Sequence, residues 1–257
     1  MKSLYTAATG MSAQQMRIEN IANNLANVST IGFKKSRENF EDLLYQNLPA
    51  AGVGQGRNRS SNLQSGSGVR IASLNKDFRM GEVISTNNNY DLAIASRGFF
   101  VVQMVDGTEL YTRNGQLGLN SEGELVTQAG QMVSPGIEIP RGAKNVSFAE
   151  DGTISAQFED SAEPLIIGSL RVVDFVNPAG MRSVGGNLFA ATPESGVPIE
   201  MTPQDGLRIK QGFLESSNVD VAEELVSMIV AQRAFEMTSK AVETSDQMLQ
   251  TINGLKR

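Results

Sequence analysis

Residues 3–35 read SLYTAATGMSAQQMRIENIANNLANVSTIGFKK, and the spacing of apolar residues in this stretch decides the architecture. Leu4, Met11, Ile18 and Leu25 recur every seven residues, and Ala7, Gln14, Ile21 and Val28 form a second column three residues further on. On a helix the two columns lie side by side as a narrow seam. That is the width of a helix-to-helix contact rather than of a helix lying on a globular core. Asn20, Asn23, Asn24 and Asn27 line one flank of the same helix. Asn is a poor helix former because its amide competes with the backbone for hydrogen bonds. Four of them at helical spacing imply a tertiary or quaternary role, and amide ladders between neighbouring helices are the expected one. Loop chemistry at residues 29–32 ends the helix.

An ordinary amphipathic helix packed on its own domain is the competing reading, and the far end of the chain weighs against it. Met228, Phe235, Val242 and Leu249 are again spaced by seven, with Ala231, Thr238, Ser245 and Ile252 beside them. Asp220 followed by Glu223 has the form of a capping box. Glu236 and Lys240 make a favourable pair four apart, and Gly254 closes the pattern. A helix of about 33 residues, roughly 50 Å long, follows from these limits. It is too long to be buried on a domain of this size.

The chain has 257 residues, 40% hydrophobic and 19% charged, a globular composition. It contains no Cys, His or Trp. Thiol nucleophiles, the usual zinc sites, imidazole bases and Ser-His-Asp arrangements are thereby excluded, as is any disulfide framework. The net charge of -6 and pI near 4.9 argue against a nucleic-acid surface. No apolar h-region marks a cleavable signal peptide, and no window approaches the roughly 18 consecutive apolar residues of a membrane span. Acidic pairs at Glu150-Asp151, Glu159-Asp160 and Glu223-Glu224 offer the carboxylates that a glycosidase needs. The first two sit where turns are expected and read as solvated turn residues. No metal, cofactor or catalytic site follows from these residues.

Between the terminal helices, Lys34, Lys35 and Arg37 stand close to Glu38, Glu41 and Asp42, which reads as a solvated, self-paired segment. RENFEDLLYQ, residues 37–46, places Phe40, Leu43 and Leu44 on one side of a short helical turn or two. Residues 47–68 are rich in Gly, Ser, Asn and Gln without periodicity, a flexible or extended excursion. From about Val69 to Gly212 the chain reads as β structure. Short runs such as AIASRGFFVVQMV (93–105), TISAQF (153–158) and PLIIGSLRVVDFV (164–176) are separated by turn pairs, among them Asp106-Gly107, Asn114-Gly115, Glu122-Gly123 and Asp151-Gly152. Asp-Gly and Asn-Gly suit tight hairpins. The expected fold class is α+β, with long, coiled-coil-like N- and C-terminal helices flanking an all-β central domain. Its expected parts are 1–32 with 216–257 as the terminal helical domain, 33–68 as a connecting segment and 69–215 as the β domain.

ENIANNLANVSTIGFKKSRENFEDLLYQ (19–46) resembles the N-terminal signature of the bacterial flagellar rod and hook axial proteins, and QGFLESSNVDVAEELVSMIVAQRAFEMTSKAVETSDQMLQTI (211–252) resembles their C-terminal signature. DLAIASRGFFVVQMVDGTELYTRNGQLGLNSEGELVTQAG (91–130) is similar to the rod members too. The length and the excursion between Tyr45 and Gly68 resemble the distal rod members, in which the resemblance associates extra residues here with a straight, rigid tube. A proximal rod protein of the same family is the alternative.

The resemblance implies a structural, non-enzymatic subunit without cofactor, exported unfolded through the flagellar type III apparatus without a cleavable signal. Such subunits form a helical homopolymer in the periplasm-spanning rod of the basal body. It contacts other rod proteins and hook protein axially and the P-ring and L-ring bushing proteins around it, with no nucleic acid and no membrane insertion. The terminal helices line the inner tube, and torque is transmitted by stiffness. On this reading Leu4, Met11, Ile18 and Leu25 pack against Met228, Phe235, Val242 and Leu249 within a subunit or between neighbours, with Ile252 extending the contact. Asn20, Asn23, Asn24 and Asn27 face adjacent subunits or the lumen, and Phe33 is the joint between tube and β domain. Two other classes stay open: a monomeric secreted β-rich binding module, and a wall-cleaving hydrolase.

Overall fold

A computed structural model describes residues 2–48, 63–158 and 164–254. The chain divides into two compact units that interleave along the sequence. Unit 1 takes residues 1–25, 36–75 and 220–257, and unit 2 takes 26–35 and 76–219. Most of the Gly/Ser-rich excursion, residues 49–62, lies outside the described residues, as does the Glu159-Asp160 pair.

Unit 1 carries helix α1, Lys2–Ala26, and helix α2, Val221–Gly254. α1 stops before Val28, so the last member of the second apolar column lies in the turn that follows the helix. α2 begins where the capping pattern puts it. Asp220 Oδ1 accepts the N–H of Ala222 at 2.8 Å and of Glu223 at 3.1 Å, satisfying two donors that a helix start leaves open. Its 34 residues span roughly 51 Å. The two helices approach at Gly10, where even a Cβ would lie within 3.7 Å of Thr238 Cγ2.

Residues 37–46 depart from the helical expectation. Strand Ser36–Asp42 pairs with Val69–Lys76, and Gln46–Leu48 pairs antiparallel with Leu63–Ser65. A helix this short is marginal in water, whereas the extended segment gains a ladder with a second strand. Phe40 and Leu44 are exposed rather than packed on one helical side.

Unit 2 is built of short antiparallel strands. Among the described residues its largest sheet has nine, centred on Phe99–Gln103. One edge of that strand pairs with Glu109–Thr112. The other is shared: Val172 and Val173 pair with Phe100 and Phe99, while Met132 and Val133 pair with Gln103 and Val102. The run FFVV is continuous because both faces of the strand are covered. Phe100 and Val102 join a core with Leu92, Ile94, Leu125 and Ile154, and Phe99 and Val101 join a second with Tyr111, Phe175 and Phe189. Edge-to-face ring contacts, such as Tyr111 to Phe175 at 4.8 Å between centroids, order the second core.

Among the described residues one turn form occurs four times. The first residue, Met104, Asn120, Thr127 or Ala149, bonds through N–H to the carbonyl four residues on. The glycine three residues on, Gly107, Gly123, Gly130 or Gly152, returns a bond to that first residue. All four glycines have φ between +83 and +90, the left-handed position of a three-residue hairpin loop with a bulge. Asn114-Gly115 departs from the hairpin expectation. The strands on either side of it, Glu109–Thr112 and Leu117–Leu119, do not pair with each other. A Cβ on Gly115 would fall 1.6 Å from Leu92 O, so close approach of two backbones requires this glycine.

Candidate assembly surface

The heptad columns lie on the covered side of each helix. Leu4, Met11, Ile18 and Leu25 on α1, and Met228, Phe235, Val242 and Leu249 on α2, are all half-buried. Ile21 and Ala231 in the neighbouring columns are buried, whereas Ile252 at the end of α2 is exposed. A second apolar face of α2 escapes a seven-residue reading. Val226 is 61% exposed, Val230 53%, Met237 65% and Met248 65%. At 3.6 residues per turn these four lie roughly 150° round the helix from the heptad column. α2 therefore has apolar residues on two sides, one half-covered within the chain and one open. The signal was present in VAEELVSMIVAQRAFEM, residues 221–237, whose apolar positions exceed any single stripe.

The asparagine flank is divided. Asn24, only 2% exposed, grips one residue of the neighbouring strand at both backbone groups. Its Nδ2 donates to Ser36 O at 3.0 Å, and its Oδ1 accepts Ser36 N–H at 2.9 Å. Asn20 Nδ2 donates to the same carbonyl at 2.9 Å and to Glu38 Oε2 at 2.5 Å. These two amides bond the chain's own strand segment. A strand edge beside a helix offers backbone donors and acceptors without the entropy of recruiting another chain. Asn27 Oδ1 accepts the Thr30 hydroxyl at 3.2 Å in the turn after α1, and Asn23 is exposed on α1.

The segment after α1 also differs from its reading as solvated and self-paired. Lys34 and Lys35 are buried in unit 2. Lys34 Nζ donates to Glu215 Oε1 at 2.5 Å and to Arg79 O at 2.7 Å. Glu215 Oε2 meets Arg113 Nη1 at 3.2 Å. Burial pushes the Lys34 ammonium below its ordinary value, and the Glu215 carboxylate opposes that shift. Arg113 is lowered for the same reason, again against the pull of Glu215. Phe33, itself buried, lies under the Lys76 ammonium, 4.5 Å from the ring centroid. No local pattern marks Lys34 as buried, since its anion comes from the other end of the chain.

The described acidic pairs have structural places. Asp151 Oδ1 accepts Thr153 N–H at 2.9 Å within its hairpin turn, and Glu223 and Glu224 lie in the first turn of α2, where acids complement the helix dipole. A pocket of about 180 Å³ in unit 2, walled by Phe78, Phe99 and Phe175, is smaller than a ligand cleft of roughly 300 Å³ or more. Among the described residues no helix is long and apolar enough to cross a membrane.

Comparison with known proteins places these features. Residues 4–34 match the model of the flagella basal body rod protein family, residues 93–156 that of the flagellar hook protein FlgE/F/G D1 domain, and residues 210–255 that of the flagellar basal body rod FlgEFG protein C-terminal region. Fold and terminal helices thus define a class, the axial subunits of the bacterial flagellum. The chain is 46% identical to the flagellar basal-body rod protein FlgG of Buchnera aphidicola subsp. Acyrthosiphon pisum, over 98% of this chain and 99% of that one. It is 45% identical to FlgG of Borreliella burgdorferi, over 100% and 99%, and 38% identical to FlgG of Bacillus subtilis, over the full length of both. The chain belongs to the FlgG family of flagellar basal-body rod proteins. It is a structural subunit, and its place is the flagellar basal body.

Proposed function

We propose that the chain polymerises helically into the distal rod, a hollow drive shaft that encloses the export channel and passes torque from motor to hook. The observation that carries this reading is the open apolar face of α2. Burying an aliphatic side chain of this kind is worth about 1.5–3 kcal/mol, and a face that one copy leaves open is a contact for the next. A contact made between two different patches builds an open helical filament when its rotation does not close into a ring. In the assembly Val226, Val230, Met237 and Met248 meet helices of neighbouring copies. Leu4, Met11, Ile18, Leu25, Met228, Phe235, Val242 and Leu249 complete the contact their half-burial begins. Asn23 and Ile252 add to that interface.

On the same reading, subunits reach the periplasm-spanning rod through the flagellar type III apparatus, stack axially on other rod proteins and hook protein, and turn within the P-ring and L-ring bushings. The same reading makes the acidic residues structural, not catalytic. Sedimentation of purified chain under polymerising conditions tests it. Wild type forms long particles, and Val230→Asp and Met237→Asp stay monomeric with unchanged circular dichroism. Polymers of normal length from both variants sink the proposal.

A further inference from the structure

We infer that Glu215 is a latch that fixes the two ends of the β-rich unit to each other and to its main sheet, and that it is the positioning residue of the rod subunit proposed above. Four strands of contact converge on this residue. Its carbonyl accepts Gly32 N–H at 2.8 Å. Its Oε1 accepts Lys34 Nζ at 2.5 Å and Gly81 N–H at 2.9 Å, and its Oε2 accepts Arg113 Nη1 at 3.2 Å. Arg113 continues the path, donating from Nη1 to Ile94 O at 3.2 Å and from Nη2 to Ser96 O at 3.0 Å. Asn218 adds a second stitch three residues on. Its Oδ1 accepts Lys35 N–H at 2.8 Å, and its Nδ2 donates to Asp77 O at 2.8 Å. The segment that follows α1 and the segment that precedes α2 are thereby held side by side within unit 2.

Stability alone does not account for building this joint from charges. Replacing a buried ion triad with apolar residues of similar volume is often neutral or stabilising. What charge-assisted hydrogen bonds add is direction: each fixes an angle between named groups, whereas apolar contacts slide. Once formed, the latch cannot slip without leaving an ion unpaired in the interior. A twist applied to either end of unit 2 therefore enters its sheet through Arg113, at the end of strand Glu109–Thr112, rather than through peptide bonds alone. This role rests on the rod reading; the latch itself does not.

Amide hydrogen exchange on the purified, unassembled full-length chain tests the latch, so its result stands apart from whether the chain polymerises. In Glu215→Gln, the acceleration at the amides of Gly32, Lys35 and Gly81 exceeds that at Val101 and Val102, which read the loss of global stability, by about 10–100-fold. Arg113→Lys keeps a charge for Glu215 but loses the fork to the two carbonyls, and it speeds Gly32 and Gly81 although residue 113 is not their chain neighbour. Equal acceleration of every amide would make Glu215 a general stability residue and overturn the inference. So would unchanged exchange at Gly32, Lys35 and Gly81. If Glu215→Gln does not fold, the triple variant Lys34→Met, Arg113→Met, Glu215→Met removes the charges while keeping volume. Folded protein with faster exchange at those three amides supports the latch, and folded protein with wild-type exchange there refutes it.

Discussion

Lys34 and Glu215 are 181 residues apart in the chain and 2.5 Å apart in space, each with a side chain no more than 1% exposed. Burial penalises the Lys34 ammonium more than Glu215 stabilises it, so its folded pKa lies below the unfolded value of 10.5. Between those two values the unfolded chain binds more protons than the folded one, and stability rises with pH through that window. Denaturant midpoints measured from neutral pH to about pH 10 should therefore show a rising contribution in wild type that is missing in Lys34→Met. A fall in that contribution with pH would reverse the sign assigned here.

Removing Lys34 while Glu215 stays leaves a buried carboxylate held by Arg113 and the Gly81 N–H but stripped of its ammonium. Lys34→Met should cost about 3–5 kcal/mol at neutral pH, read as a lowered denaturation midpoint. Adding Glu215→Met and Arg113→Met should recover most of that loss.

Gly115 and Gly130 separate two uses of glycine. Gly115→Ala drives a Cβ into Leu92 O and should cost on the order of 3 kcal/mol or more. Gly130→Ala meets no atom within 4 Å and strains only a φ of +83, a cost of about 1–2 kcal/mol. Thermal melts of the two variants decide whether the order holds.

Asn24→Ala leaves Ser36 N–H without the amide oxygen that accepts it, while Asn20 still donates to Ser36 O. The expected loss is about 1–3 kcal/mol, concentrated in unit 1, with faster exchange at the Ser36 amide and little change at Val101. An equal effect in both units would contradict the local role.

On α2, Val230→Asp and Met237→Asp change exposed positions and should alter the stability of the isolated chain by no more than about 0.5 kcal/mol. Phe235→Asp lies on the half-buried side and should cost more in the isolated chain as well as in assembly. Comparing monomer melts of the three variants tells the two faces apart.

Local periodicity explains what was legible. Leu4 to Leu25 and Met228 to Leu249 repeat within single helices, and hairpin glycines such as Gly107 carry their turn chemistry in adjacent residues. Lys34 is different, because its neighbours Glu38 and Glu41 are near in sequence and its true partner is not. Asn20 and Asn24 bond a strand that Phe40, Leu43 and Leu44 disguise as a helical turn. Asn114-Gly115 has the same letters as a hairpin tip, and only the position of Leu92 reveals another purpose. The open face of α2 is spelled out in Val226, Val230 and Met237, but heptad spacing picks out the opposite side first.

The strand Phe99–Gln103 has a further consequence in its shared edge. FFVVQ is apolar, β-prone and uncharged, the kind of segment that stacks with copies of itself into cross-β aggregates when its backbone is free. In the folded chain Glu109–Thr112 closes one side, and Val172, Val173, Met132 and Val133 close the other, with Ser134 N–H bonding Val101 O at 2.8 Å between them. The two pieces that seal that second side come from parts of the chain some 40 residues apart, so during refolding one half stands open until the later piece arrives. The hazard belongs to the interval before closure, and refolding yield should fall steeply as protein concentration rises.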